Sequence, residues 1–74
     1  ASIETRVRER LSRTELAYFE KAQEAWLRYR ELNCEAEAVL YEGGTMQPGV
    51  HLGCEAKVAE NRVAELHRIY IGRL

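Results

Sequence analysis

From residue 11 onward the apolar positions fall at helical intervals. Leu11, Tyr18, Ala25, Leu32 and Val39 recur every seven residues, with Ala22, Tyr29 and Ala36 one turn further on, which is the spacing of one face of an α-helix. A second row, Phe19, Trp26 and Leu40, runs beside the first. A face that wide predicts a helix packed on another helix rather than one alone in water. Ser12 and Glu15 have the spacing of a capping box, so the helix is expected over residues 12–41. Gly43 and Gly44 should stop it, because glycine tolerates the left-handed conformation that commonly closes a helix. Pro48 is expected to keep the following loop, residues 42–51, from winding up again. A second helix should start near Leu52 and occupy residues 52–71, with Cys54, Val58, Leu66, Ile69 and Tyr70 on its inner side.

Two helices joined by a short loop form an antiparallel hairpin. The remaining stretch, residues 1–11, spaces Ile3, Val7 and Leu11 four apart. It either extends the first helix or forms a separate short helix before Ser12. The expectation is therefore a single small all-α domain over residues 1–74, with a core too thin to need no staple.

Two cysteines could supply that staple. Cys34 sits about two turns before the end of the first helix and Cys54 in the opening turn of the second, so a hairpin brings them face to face. Such a bridge implies an oxidising compartment. Free buried thiols and a zinc site are the alternatives. Zinc would draw on Cys34, Cys54, His51 and His67, but thirteen residues separate Cys54 from His67, roughly 20 Å along a helix. Three ligands at most could converge, and no metal or other cofactor is expected.

Aligning the hairpin on the bridge sets Arg30 near Val58, Trp26 near Arg62 and Phe19 near Ile69. Gln23, Trp26, Arg30, Arg62 and Leu66 then share a seam. On it Arg62 is expected to lay its guanidinium over Trp26 while Arg30 pairs with a glutamate. An arginine pair gripping a carboxylate or phosphate is the other reading. The N-terminal stripe of Ile3, Val7 and Leu11 runs past the end of the second helix, so it must fold back, meet a second copy, or meet another segment.

Composition sharpens the picture. All twelve acidic residues are Glu and nine of the eleven basic ones are Arg, for a net charge of −1. That balance argues against nucleic acid as a partner. Residues 1–30 hold seven basic and five acidic groups (+2), residues 31–60 one and six (−5), and residues 61–74 three and one (+2). The middle of the chain is thus an acidic zone, either a solvated face or a landing site for a basic partner. No apolar run approaches the ~20 residues that span a bilayer, and no charged-then-apolar leader opens the chain, so a soluble or already processed form is expected.

Several of these residues also form an ordered set: Gln23, Trp26, Tyr29, Arg30 and Cys34; then Gly43, Gly44, Thr45, Met46 and Pro48; then Gly53 and Cys54; then Arg62, Glu65 and Leu66. In that order they resemble the lysozyme-inhibitor LprI N-terminal-like family, whose pattern runs Q-x-x-W-x-x-[YF]-R-x-x-x-C, Gly-Gly-Ser/Thr-Met-x-Pro, a cysteine after a glycine, and R-x-x-E-L. The resemblance covers about residues 11–66 and lacks the family's upstream cysteine pair, as a short variant or a fragment would. It implies a small, helical, exported bacterial protein, periplasmic or secreted, with paired cysteines, and for some members inhibition of lysozyme.

Two function classes follow. In the first, the protein binds a lysozyme or another peptidoglycan-cleaving enzyme through the loop end. Thr45, Met46, Gln47 and His51 are its contact candidates, with Glu42 and Glu55, aided by Glu35 and Glu37, steering a basic partner. In the second it is an assembly module that forms a homodimer or docks through the N-terminal apolar stripe. Catalysis is not expected: the chain has no Asp, both serines lie far from the histidines, and there is no glycine-rich phosphate cradle.

Overall fold

The computed structural model describes residues 2–43 and 47–72, apart from the Gln47 side chain. Three α-helices account for nearly all of it: α1 (Ile3–Arg10), α2 (Arg13–Val39) and α3 (Gln47–Leu66), the last continued by a π-helical turn, His67–Ile71. The molecule is a rod of 48 × 19 × 18 Å. The fold is all-α, an antiparallel α2–α3 hairpin pinned by a Cys34–Cys54 disulfide, with a short N-terminal helix folded back onto its open end.

Each helix start has a local cause. Ser2 caps α1, its Oγ accepting from the Thr5 N–H at 3.2 Å. Ser12 caps α2 with both halves of a capping box: its Oγ accepts from the Glu15 N–H at 3.2 Å, and its own N–H donates to Glu15 Oε1 at 2.8 Å. Those bonds to Ser12, the backbone one first, hold the Glu15 carboxyl below its ordinary pKa. After Val39 the chain tightens through short-range bonds from Leu40, Tyr41 and Glu42 back to Glu37, Ala38 and Val39. Gly43 then takes φ +83°, the left-handed backbone that glycine adopts without penalty.

The loop is shorter than residues 42–51. Helix α3 begins at Gln47, five residues before Leu52, and Pro48 lies inside its first turn. There the missing N–H of proline is one that no helix could satisfy, so Pro48 opens the helix instead of delaying it. Gly44, Thr45 and Met46 lie outside the described residues.

The core is a knot at one end of the rod. Val7, Phe19 and Leu66 are fully buried against each other, with Ile3, Leu11, Leu16, Tyr70 and Ile71 packed around them. Phe19 meets Tyr70 edge to face, ring centres 5.3 Å apart and planes at 83°. The π turn lets Tyr70 and Ile71 reach this cluster beyond the end of α3. It closes where the Gly72 N–H donates to the His67 carbonyl at 2.6 Å. A Cβ at Gly72 would stand 3.2 Å from that oxygen.

The N-terminal stripe therefore does fold back. Val7 is in the core, and Ile3 and Leu11 pack beside it. It is not free to dimerise or dock, because the ends of α2 and α3 use it as their cover. The seven-residue row on α2 corrects a second expectation. Tyr18, Ala25, Leu32 and Val39, with Tyr29 and Ala36, face solvent, as does Leu40. The face against α3 is instead Phe19, Gln23, Trp26, Arg30, Cys34 and Ala38, rotated about a third of a turn away.

Two measurements test this frame. Val7→Ala should lower unfolding free energy by about 2 kcal/mol, read from urea melts, and should loosen α1 first. Reducing the Cys34–Cys54 bridge should cost roughly 3 kcal/mol through the twenty-residue loop it closes, seen as a lower melting temperature with reductant.

Candidate functional site

Between the apolar knot and the disulfide, the seam of the hairpin is polar and specific. Gln23 is buried, and its amide joins all three helices. Arg62 on α3 donates to Gln23 Oε1 through Nε (2.8 Å) and Nη2 (2.6 Å), while Gln23 Nε2 donates to Glu4 Oε2 on α1 at 2.8 Å. Arg62 Nη1 also bonds Glu65. The guanidinium is thus held by one carboxylate and one amide, which compensates its removal from water. Leu66 closes this stretch from below as part of the core.

The two seam arginines exchange the roles expected of them. Arg30, not Arg62, lies over Trp26, its guanidinium carbon 5.8 Å from the ring centre. Arg30 Nε donates to the main-chain oxygen of Glu55 at 3.2 Å rather than to a carboxylate. The reason is reach: Arg62 sits level with Gln23, whose buried amide oxygen offers a stronger partner than a ring face. Arg62 is thus fully engaged by Gln23 and Glu65. Phe19 likewise meets Tyr70 and Leu66, with Val7 from α1, in place of Ile69.

At the turn end the disulfide holds the Cys34 and Cys54 Cα atoms 5.5 Å apart, both residues buried, and Asn33 Nδ2 lies 3.7 Å from Cys54 Sγ. One helical step outward is a shallow depression of about 330 Å³ lined by Glu31 and Glu35 from α2 and His51 and Glu55 from α3. His51 Nδ1 is 3.3 Å from Glu55 Oε1, one turn along the same helix. Glu37 and Glu42 are exposed nearby in sequence. Negative charge therefore gathers beside the bridge.

Of the proposed contact residues, His51 and Glu55 stand together on α3 and Glu42 lies in the turn. His51 is helical, not part of a loop. Thr45 and Met46 lie outside the described residues, and Gln47 is described only as the first residue of α3. Sequence reasoning missed Glu31 as a member of the acidic group and Glu4 as the strut from α1. Glu31 could have been found from its place one turn before Glu35. Nothing local marks Glu4, whose role appears only once α1 folds back. Among the described residues no group of three or more His, Cys or acidic side chains could hold a metal ion, and no helix is long and apolar enough to cross a membrane.

Residues 1–66 match the family model described as lysozyme inhibitor LprI. The chain belongs to the lysozyme inhibitor LprI family. It is also 39% identical over 54 residues to an uncharacterised protein of Rhizobium meliloti. That match takes in 73% of this chain and 39% of the relative, so the chain spans about two fifths of that protein's length. No solved structure matches it. The description of the LprI family names an inhibitor rather than an enzyme.

Gln23, Trp26, Arg30, Arg62 and Glu65, which carry the resemblance in the sequence, thus line the seam, and Cys34 and Cys54 are its clamp. Gln23→Leu keeps the volume but strips Arg62 of its buried acceptor, and should destabilise by about 2 kcal/mol. Thermal melts of this variant should also lose their dependence on Glu4, so that Glu4→Gln, costly in the native protein, becomes neutral in Gln23→Leu.

Proposed function

We propose that this LprI-family chain is an exported inhibitor that binds a lysozyme or a related basic peptidoglycan-cleaving enzyme through its acidic turn end. The observation that carries the reading is the convergence of Glu31, Glu35, Glu55 and His51 on one depression beside the disulfide. Carboxylates carried by two helices that a covalent clamp joins attract a basic surface, and the clamped backbone loses little conformational freedom on binding it. Glu42, exposed in the turn, extends the contact surface, and Thr45, Met46 and Gln47, which follow it in the sequence, are the further contact candidates. Among these, Met46 has the adaptable apolar side chain that such a contact would use.

The bridge itself supports the location. A disulfide that closes the turn between α2 and α3 persists where the surroundings are oxidising, outside the cytoplasm. There the protein would meet the enzymes it blocks.

The test is a lytic assay on bacterial cell walls with several lysozyme types and the oxidised protein. The native chain should slow one of them, and less strongly at high salt, where charge attraction is screened. The variant Glu31→Lys, Glu35→Lys, Glu55→Lys should lose at least about tenfold in potency. Equal inhibition by both proteins would remove the acidic end from the interface. Lysis of every wall at undiminished rate would end the inhibitor reading.

A further inference from the structure

Helix α2 has two apolar faces, and this chain covers one. The covered face meets α3. The other is Tyr18, Ala22, Ala25, Tyr29, Leu32, Ala36 and Val39, whose steps of four, three, four, three, four and three residues are the alternation of a coiled-coil seam over three heptads. Tyr18 is 70% exposed, Tyr29 58%, Leu32 56% and Val39 57%, and the three alanines are exposed too. Helix α1 does not shield this row. It reaches α2 through Arg8 on Glu20 and Glu4 on Gln23, both away from it on the helix surface.

We infer that this face is an interface with a second copy of the chain, with the two α2 helices antiparallel about a two-fold axis beside residues 30 and 31. In that register Tyr29 faces the partner's Leu32, Ala25 the partner's Ala36, and Ala22 the partner's Val39. Each contact occurs twice by symmetry, and the alanines let the helices approach closely. The contact is self-complementary, as a closed dimer requires.

Charge selects the register. The residues flanking the row on one side are Lys21, Arg28, Glu35 and Glu42, all exposed and none in an ion pair among the described residues. Lys21 already leans toward the row, its Nζ 5.5 Å from the Tyr18 ring centre. In the antiparallel register Lys21 meets the partner's Glu42 and Arg28 the partner's Glu35, so every flanking charge finds its opposite. Sliding one heptad in either direction sets Arg28 against Arg28 or Glu35 against Glu35. A parallel pair sets Lys21 beside Trp26 and Arg28 beside Asn33, with no charge matched. The acidic depression keeps Glu31 and Glu55 in the dimer, while Glu35, which borders both surfaces, turns to Arg28. This pairing does not depend on the inhibitor reading.

The experiment is sedimentation equilibrium of the whole oxidised chain from micromolar to near-millimolar concentration, with circular dichroism to confirm unchanged folding. The native chain should dimerise, more tightly at low salt. Leu32→Glu should leave a monomer with an unaltered melting curve, since Leu32 is exposed in the single chain. Arg28→Glu should weaken the dimer about tenfold, and Arg28→Glu with Glu35→Arg should bring it back. A chain that stays monomeric at every concentration overturns the proposal. So does a dimer indifferent to Leu32→Glu, or a double charge reversal that fails to rescue.

Discussion

Cys34 and Cys54 decide more than whether two helices lie together. A bond between positions on their surfaces sets how far each is rotated about its own axis and how far one slides along the other, and with Cα atoms 5.5 Å apart little freedom is left in either. Once Cys34 points at α3, helical geometry carries Arg30, Trp26, Gln23 and Phe19 to the same side at successive turns. On α3 the same geometry carries Val58, Arg62 and Leu66. The chain holds two apolar rows on α2, either of which could have been buried. The bridge selects the one that includes glutamine and arginine.

That choice needs compensation. Burying Gln23 and most of Arg62 in a molecule 19 Å across removes strong polar groups from water with few neighbours to replace it. The seam answers by closing its hydrogen bonds in a chain from Glu4 through Gln23 and Arg62 to Glu65, and among the described residues no buried side-chain nitrogen or oxygen lacks a partner. Helix α1 is therefore tied twice. Its apolar side completes the knot around Phe19 and Leu66, and its Glu4 completes the polar relay. A hydrophobic contact alone would tolerate several tilts of so short a helix; the added directional bond selects one.

Much of this was legible from residues that act locally. Ser12 and Glu15 define the start of α2 by two hydrogen bonds within one turn, and Gly43 marks its end by a backbone angle. The cysteine spacing and the ordered motif from Gln23 to Leu66 pointed to a clamped hairpin and to its family. What was not legible depended on competition between distant groups. The seven-residue row from Tyr18 to Val39 is a sound amphipathic signal, yet periodicity says only that a face is apolar, not what covers it. Pro48 was ambiguous because proline suits both a loop and the first turn of a helix. The exchange of Arg30 and Arg62 turned on which of two similar cations lies nearer a buried amide, a matter of a few ångströms that no one-dimensional pattern encodes. In the acidic zone the charges of Glu35 and Glu55 were readable, but the meeting of Glu31 and Glu35 on α2 with His51 and Glu55 on α3 came from the register.

The order of these elements along the rod explains how so small a chain can present a rigid acidic end. An apolar knot holds the open end of the hairpin, a polar relay its middle, and a covalent bond the end nearest the turn. Hydrophobic packing alone would leave that last end frayed, because the largest apolar side chains of the core all sit far from it. Moving the core toward the turn would need bulky residues where Glu31, Glu35, His51 and Glu55 now stand. A disulfide buries only two small side chains and leaves the surrounding surface available to charge. The acidic end and the bridge beneath it are thus one solution to one constraint: rigidity is supplied covalently where the surface must stay polar.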